Sequence, residues 1–526
     1  MTIRLITFCL LGLMTLQLQA QRKKPALRGV EGKPNVLVIY TDDHRYSGVH
    51  ALGGQAVVTP TLDNLAHTGI AFTNAYMQGS FSGATCVPSR AMLLTGRNLF
   101  QLKGRGFDIP EDHTTMGELF MEAGYYAYHV GKWHQDMKSL ARSFNDGAKV
   151  SGKPAYLTDQ YRMPYHDWEP NGNYKREHCY LLEYNDKGEV VSRPLTKDDK
   201  RGPTGTEKTG PHVSKVLADE SVKFLMEYDK KKPFFHYLAF PTPHDPRQAP
   251  KKYKDMYPEE DIALLPSYMP QHPFDNGHIV LRDELLAEWP RTTKIAKQHL
   301  SDYYAIISHL DAQIGRVIKA LKESGQYENT IIVMAGDSGL AVGNHGLLGK
   351  QSIYDEDGVH IPFILSGGLI EEANKGRRED AFCYNYDILP TLCDMIGLKT
   401  PKSVTGKSLL PIINNETEMV RDYTYHAYRQ HQRAYRKGDY KLIEYVRAPD
   451  KDRKRGDIIS GSRVTQLFNV TKDPWEAFNL ADFPEYADKV AEMRKGMKQK
   501  AIELKDKSHD ELVNVDFWKY YNLSNR

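Results

Sequence analysis

Cysteine is scarce, with five in 526 residues, and Cys9 sits within the N-terminal segment. The four that remain, Cys86, Cys179, Cys383 and Cys393, are too few in a chain of this size for a disulfide scaffold. No CxxC or Cys/His spacing suggests zinc. Cys383 and Cys393 could pair, or both could pack in or near a helix, and two buried thiols is the favoured reading. One-sided charge is also missing. The 70 Lys and Arg residues nearly balance 67 Asp and Glu, for a formal net charge of +3, which gives no basis for nucleic acid or a membrane surface as partner. Internal repeats and low-complexity stretches are absent. No apolar run is long enough to cross a bilayer as a helix.

What is present begins with an apparent export signal. Arg4 supplies positive charge, Leu5 to Leu16 is an apolar run of h-region length, and Leu18-Gln19-Ala20 ends in a small residue. The expectation is cleavage after Ala20 and a periplasmic or secreted protein. The remaining length exceeds one ordinary domain, so a large domain over 26–405 and a smaller one over 420–526 are expected.

Four short apolar runs stop abruptly at polar clusters. Asn35 to Tyr40 meets Thr41-Asp42-Asp43, and Tyr125 to Val130 meets Gly131-Lys132-Trp133-His134. Phe234 to Phe240 meets Pro241-Thr242-Pro243-His244, and Thr330 to Ala335 meets Gly336-Asp337-Ser338. Each reads as a buried strand. Helical spacing lies between them, over Thr115–Ala123 and Leu300–Ser324. This alternation gives an α/β fold, with a large, mostly parallel sheet sandwiched by helices. Ligands bind at the carboxyl ends of such strands, so all four clusters can share one site. Beyond about residue 405, Tyr440–Ile443 and Thr465–Leu467 suggest a small antiparallel sheet, and Glu485–Lys505 a terminal helix. These make a smaller C-terminal α+β subdomain.

Adjacent acids after a strand are often a turn or a helix cap. Asp42, Asp43 and Asp337 converging on one edge would repel unless a cation neutralised them. Hard oxygen ligands favour calcium or magnesium. Lys132 and His134, two apart, point to one face of an extended segment. His244 sits in a stiff Pro-rich loop, and Lys350 follows Gly343-Asn344-His345-Gly346. Singly, each reads as an ordinary surface residue. Together they describe a site for a tetrahedral oxyanion such as a sulfate or phosphate ester. Cys86 opens Cys86-Val87-Pro88-Ser89-Arg90, a Pro-initiated helix start whose dipole and Arg90 face an anion. As a plain thiol it would be an odd nucleophile, because no thiolate-lowering partner is legible.

The run from Cys86 to Arg97 resembles the type I sulfatase signature, C-x-P-S-R followed by x-x-L-L-T-G-R. The resemblance extends over nearly the whole chain after residue 20. It takes in Asp42-Asp43, Gly131 to His134, the Pro-His run at His244, Asp337 through Lys350, Asp387 to Leu392 and Leu467 to Leu480. It implies an alkaline-phosphatase-like fold and a Cys86 oxidised to formylglycine by a formylglycine-generating or anaerobic sulfatase-maturing enzyme. It further implies one calcium ion held by Asp42, Asp43, Asp337, Ser338 and the modified Cys86. Arg90, Lys132 and His134 would hold the aldehyde hydrate, and Asp337 would help deprotonate it. One hydroxyl would attack sulfur while calcium and Lys350 neutralise the sulfate oxygens. His244 would protonate the departing alcohol, and the second hydroxyl would pass its proton to His134 as sulfate leaves. Ser338 departs from the pattern, since the family usually has Asn or His there, and a hydroxyl is the poorer and shorter ligand.

The alcohol side is read from loops. Their Tyr, His and Arg content suits a sulfated carbohydrate. His345 is the leading substrate-binding candidate beside His244 and Lys350, ahead of His44, Arg45, His113, His178, His272, Asp275, Asn276 and Arg282. The stretches Gln271–Gly277, Arg282–Glu284 and Trp289–Thr292 resemble a bacterial carbohydrate-sulfatase branch. That branch implies exo-acting desulfation of galactose-type sugars, including N-acetylgalactosamine, at O4. Two alternatives stay open: a phosphonate or phosphate ester hydrolase of the same superfamily, and a catalytically impaired protein that binds sulfated glycans.

Overall fold

The computed structural model describes residues 32–54, 56–155, 159–199, 209–447, 450–451, 458–459 and 462–506, and beyond them Phe517, Trp518 and Tyr521. The expected export segment, 1–20, lies outside these residues. No described helix is long and apolar enough to cross a membrane.

The central sheet is built from β1 (Asn35–Asp42), β2 (Ile70–Phe72), β3 (Tyr126–Trp133), β4 (Asp146–Gly152), β5 (Phe234–Pro243), β6 (Thr330–Gly336), β7 (Phe363–Ser366) and β8 (Arg377–Glu379). Their order is β8-β2-β7-β6-β1-β5-β3-β4. Every neighbouring pair is parallel except the two made by β7. The reason β1 reads as an unbroken apolar run is that both its faces are covered. Val36, Val38 and Tyr40 enter one core, and Leu37 and Ile39 the other.

Helices α1 (Pro60–His67), α2 (Cys86–Thr95), α3 (Met116–Glu122), α4 (Val213–Glu227), α5 (Thr293–Glu323) and α6 (Ile388–Met395) close the sandwich. Leu93, Phe120 and Leu392 from α2, α3 and α6 pack on the first face. Leu65, Leu217 and Ile314 from α1, α4 and α5 pack on the second. Helix α3 starts where a capping box forms, Thr115 accepting from the Glu118 N–H and Glu118 accepting from the Thr115 N–H. Helix α5 begins earlier than the apolar spacing from Leu300 predicts, because the Thr292 side chain caps it by accepting from the Ile295 N–H.

A second sheet contains β9 (Tyr423–Tyr428), β10 (Gln432–Lys437), β11 (Tyr440–Arg447) and β12 (Ser462–Asn469), paired antiparallel in sequence order. Helix α7 (Ala487–Leu504) covers it through Val490, Met493 and Met497, which meet Leu442 and Leu467. The short strand Gly79–Ser80 joins this sheet beside β9, so the segment leading to Cys86 is stitched to the C-terminal part of the chain. Only glycine fits at 79, where φ is +119° and a Cβ would lie 1.9 Å from the Ala427 carbonyl oxygen. Cys86, Cys179, Cys383 and Cys393 are all buried and unpaired, as two packed thiols at 383 and 393 require.

Candidate active site

The polar clusters meet where the strands end. Register pairs Thr41 with Gly336 and Asp42 with Pro243, which brings Asp42, Asp43, Asp337 and His244 to one edge. Asp43 takes the left-handed conformation, φ 59°, turning the chain as it leaves β1. A register shift between Val130 and Lys132 sets Lys132 and His134 toward the same point. Lys132 Nζ is paired with Asp42 and stands 3.8 Å from Cys86 Sγ, and His134 Nδ1 is 3.3 Å from that sulfur.

Cys86 and Arg90 are one helical turn apart on α2. Pro88 sits in the first turn, where its missing N–H costs nothing, and Gly96 ends the helix in the left-handed region. Arg90 Nη2 lies 3.0 Å from Asp337 Oδ2 and 3.4 Å from Asp42 Oδ2. Asn385 fixes the helix from behind by donating to the Ser89 carbonyl (3.0 Å) and to Ser89 Oγ (2.8 Å). Lys350 Nζ is paired with Asp43, and His244 Nε2 lies 3.8 Å from Asp43 Oδ2. The His244 ring is anchored at Nδ1, 2.7 Å from the Asp245 carbonyl oxygen.

Three buried carboxylates therefore face three buried cations. Burial alone would raise the Asp42 carboxyl, but Lys132 and Arg90 outweigh it and hold that group well below the usual range. Burial, only partly offset by Lys350 and His244, pushes Asp43 up to about 6. Burial and the neighbouring Asp42 charge push Asp337 up to about 6. Burial pushes the Cys86 thiol up to about 11, so at neutral pH it is protonated and a weak nucleophile. His134 is pushed well down by burial and by Lys132, leaving a neutral imidazole.

A cation fits this donor set. Asp42 Oδ1 and Asp43 Oδ2 are buried with no hydrogen-bond partner, an arrangement that costs stability unless an ion or water satisfies it. Ligand atoms of Asp42, Asp43 and His244 lie within 4.8 Å of one another, as do those of Asp42, Cys86 and Asp337. Hard oxygen donors suit calcium or magnesium. Ser338 Oγ stands 3.2 Å from Asp43 Oδ1 and 3.4 Å from Asp337 Oδ1, close to the acids but hydrogen-bonded to two of them.

Cys86, His134, His244 and Lys350 line a cavity of about 320 Å³. Its remaining wall includes His278, Leu281, Arg282, Asp283 and Gln351. Of the loop residues singled out in the sequence, Arg282 alone is among those lining residues, where it is paired with Asp245 and Asp283. His345, the leading substrate-binding candidate, is not among them. Its Nδ1 is 2.7 Å from Asp357 Oδ2, its Nε2 3.0 Å from the Glu476 carbonyl oxygen, and its ring stacks on Tyr354. His44 is likewise buried, with Nε2 on the Gly48 carbonyl, and His272 has Nδ1 on that of His345. Arg45 is buried beside Tyr304 and Glu356, and Asp275 is paired with Arg447. Asn276 accepts from the His278 N–H, His113 is buried beside Asp112, and His178 is exposed on a short 3-10 turn. His278, Asp283 and Gln351 were missed. The last two adjoin residues already singled out, whereas His278 carries no local signal.

A family model described as Sulfatase matches residues 34–398. Another, described as N-sulphoglucosamine sulphohydrolase, C-terminal, matches residues 343–503. The arylsulfatase of Clostridium perfringens (strain 13 / Type A) is 29% identical over 493 residues, covering 88% of this chain and 93% of its own length. The N-acetylglucosamine-6-O-sulfatase of Bacteroides thetaiotaomicron is 26% identical over 540 residues, covering 92% and 89%. A solved structure of a protein in complex with its substrate D-glucosamine-2-N,6-O-disulfate aligns with a TM-score of 0.65 at 21% identity, covering 90% of this chain and 99% of that one. The phosphonate monoester hydrolase of Agrobacterium radiobacter aligns with a TM-score of 0.65 at 21% identity, covering 91% and 97%. At such identity these two structures speak to the fold alone.

Proposed function

The chain belongs to the sulfatase family, within the alkaline phosphatase superfamily, and on that premise we propose that it is an exported, exo-acting glycan sulfatase using formylglycine made from Cys86 and one calcium ion. Sulfuric ester hydrolysis itself follows from the family. The finer reading is carried by one observation: the Cys86 thiol is buried and protonated, yet basic and acidic groups converge on it. Formylglycine would supply an aldehyde hydrate as nucleophile, and calcium would supply positive charge to the sulfate oxygens.

The chain's own residues then take the following parts. Asp42, Asp43 and Asp337, with Ser338 beside them, would hold the ion. Arg90 and Lys132 stabilise negative charge at the β-substituent of residue 86. The neutral His134, 3.3 Å from that substituent, accepts a proton from it. Lys350 holds a sulfate oxygen from the side of Asp43. His244 is fixed through Nδ1 on Asp245, which leaves Nε2 to pass a proton to the departing sugar oxygen.

The cavity, about 320 Å³, is near the low end of the ~300–1,000 Å³ typical of ligand pockets, a size that supports one sulfated sugar at a chain end. The resemblance of the 271–292 stretches favours galactose or N-acetylgalactosamine 4-O-sulfate. One relative named above is an N-acetylglucosamine-6-O-sulfatase, and one similar structure holds a glucosamine disulfate as its substrate, so a panel must include both sugar types. The fold shared with a phosphonate monoester hydrolase supports one competing reading, and assay of aryl sulfate against aryl phosphate and aryl phosphonate decides between them. Faster sulfate turnover is expected, and faster phosphate or phosphonate turnover would overturn it. Calorimetric titration of metal-stripped protein is expected to show calcium binding. Its absence would remove calcium from the proposal. The other reading, a glycan binder impaired at Ser338, requires binding without turnover when Cys86 is fully converted.

A further inference from the structure

Lys350 has no regular element beneath it. It lies in the irregular segment between β6 and β7, yet its ammonium must be held against Asp43 at the centre of the site. Immediately before it, the N–H groups of Leu348 and Gly349 both donate to one buried side chain, Glu284. The distances are 3.0 Å from Leu348 to Oε2 and 2.8 Å from Gly349 to Oε1. A carboxylate that accepts two backbone N–H groups forms charge-assisted bonds, about twice as strong as neutral ones.

Glu284 is itself held. Arg291, fully buried, donates to Glu284 Oε2 at 3.1 Å and to the Glu284 carbonyl at 2.6 Å. Removing one partner of such a pair leaves the other charge uncompensated. The grip is tight at the backbone too, since a Cβ on Gly349 would lie 3.0 Å from Glu284 Oε1 and 2.4 Å from Gln351 Oε1. On the other side of Lys350, Gln351 Oε1 accepts the Lys350 N–H at 3.0 Å, and Gln351 Nε2 donates to the Gly83 carbonyl at 2.9 Å. The lysine is thus clamped from both sides, and one clamp reaches the segment that carries Cys86.

We propose that Glu284, held by Arg291, is the positioning residue for Lys350, gripping the backbone of residues 348 and 349 so that the ammonium meets the sulfate ester. Glu284 touches neither substrate nor metal and acts only through the lysine. The proposal rests on the reading above that Lys350 works on the sulfate.

A double-mutant cycle tests it on protein whose Cys86 is fully converted, with an aryl sulfate as substrate. The variants are Glu284→Ala, Glu284→Gln, Lys350→Ala and each Glu284 variant combined with Lys350→Ala. Misplacement by about 1 Å can cost ~100-fold, so Glu284→Ala is expected to lower kcat by roughly 10- to 100-fold. Glu284→Gln, which keeps an acceptor oxygen, is expected to recover part of that. In the Lys350→Ala background both Glu284 substitutions are expected to lose their effect on kcat. A merely structural role would leave the losses additive, and additive losses would overturn the proposal. If Glu284→Ala does not yield folded protein, the Glu284→Gln cycle reads the same coupling. Lys350→Ala turning over at the wild-type rate would instead overturn the role given to Lys350, and the positioning proposal with it.

Discussion

Cys86 Sγ and His134 Nδ1 stand 3.3 Å apart in a buried site, and each is held in its neutral form. A neutral thiol next to a neutral imidazole has no thiolate to offer. Protein made without a maturing enzyme is therefore expected to be inactive toward aryl sulfate. In converted protein, His134→Ala is expected to lower kcat by about 10²- to 10⁴-fold, the range for lost acid–base catalysis, with a much smaller change in KM. Steady-state kinetics reads both. A raised KM at unchanged kcat would assign His134 to binding instead.

Ser338 lies beside Asp43 and Asp337 with a hydroxyl that hydrogen-bonds Asp43. An amide carbonyl reaches further and coordinates better. Ser338→Asn is expected to tighten calcium binding in a calorimetric titration of metal-stripped protein. Unchanged or weaker affinity would mean that residue 338 does not reach the ion.

Asp311, on α5, accepts the N–H groups of Thr61 and Leu62 at the start of α1, and burial pushes its carboxyl up to about 6. The folded protein thus holds a proton that the unfolded chain releases near the ordinary aspartate value of 3.8. Its contribution is fully present below that value and declines as pH rises to about 6, by up to ~3 kcal/mol. Asp311→Asn, always neutral, is expected to lessen the fall in stability between about pH 4 and 6 in denaturant titrations. An identical pH slope in the variant would count against the raised carboxyl.

Much of this site was legible because strand ends leave marks in sequence. The apolar runs ending at Asp42, His134, His244 and Asp337 became β1, β3, β5 and β6, and their polar ends converged. The long α5 and its apolar stripe were equally plain, and only its threonine cap was overlooked. The alcohol side was not legible, because its wall is made by irregular loops meeting across long sequence separations. His278 reaches the cleft because Gly277 packs under His431 from the turn between β9 and β10, and nothing near 278 encodes that turn. His345 is placed by long-range contacts of the same kind. It lies between two recognisable motifs, but its partners Asp357 and Glu476 come from elsewhere and draw it into the interior.

Gly79 fastens the segment before Cys86 to the second sheet. Gly79→Ala adds a methyl where the Ala427 carbonyl lies and forces a left-handed φ on an L-residue. A loss of about 1–3 kcal/mol or more is expected, read as a lower Tm. Activity per folded molecule is expected to fall as well, since the nucleophile's approach segment shifts. A variant with unchanged Tm would show that this stitch bears no strain.

Desulfation across a panel of defined sulfated monosaccharides, followed by chromatography, tests the central claim most directly. The protein used should have its Cys86 peptide verified by mass spectrometry as aldehyde. Release of sulfate from at least one sugar is expected, with none from a Cys86→Ala control. No release from any sugar by fully converted protein, or equal release by the control, would contradict a glycan sulfatase acting through residue 86.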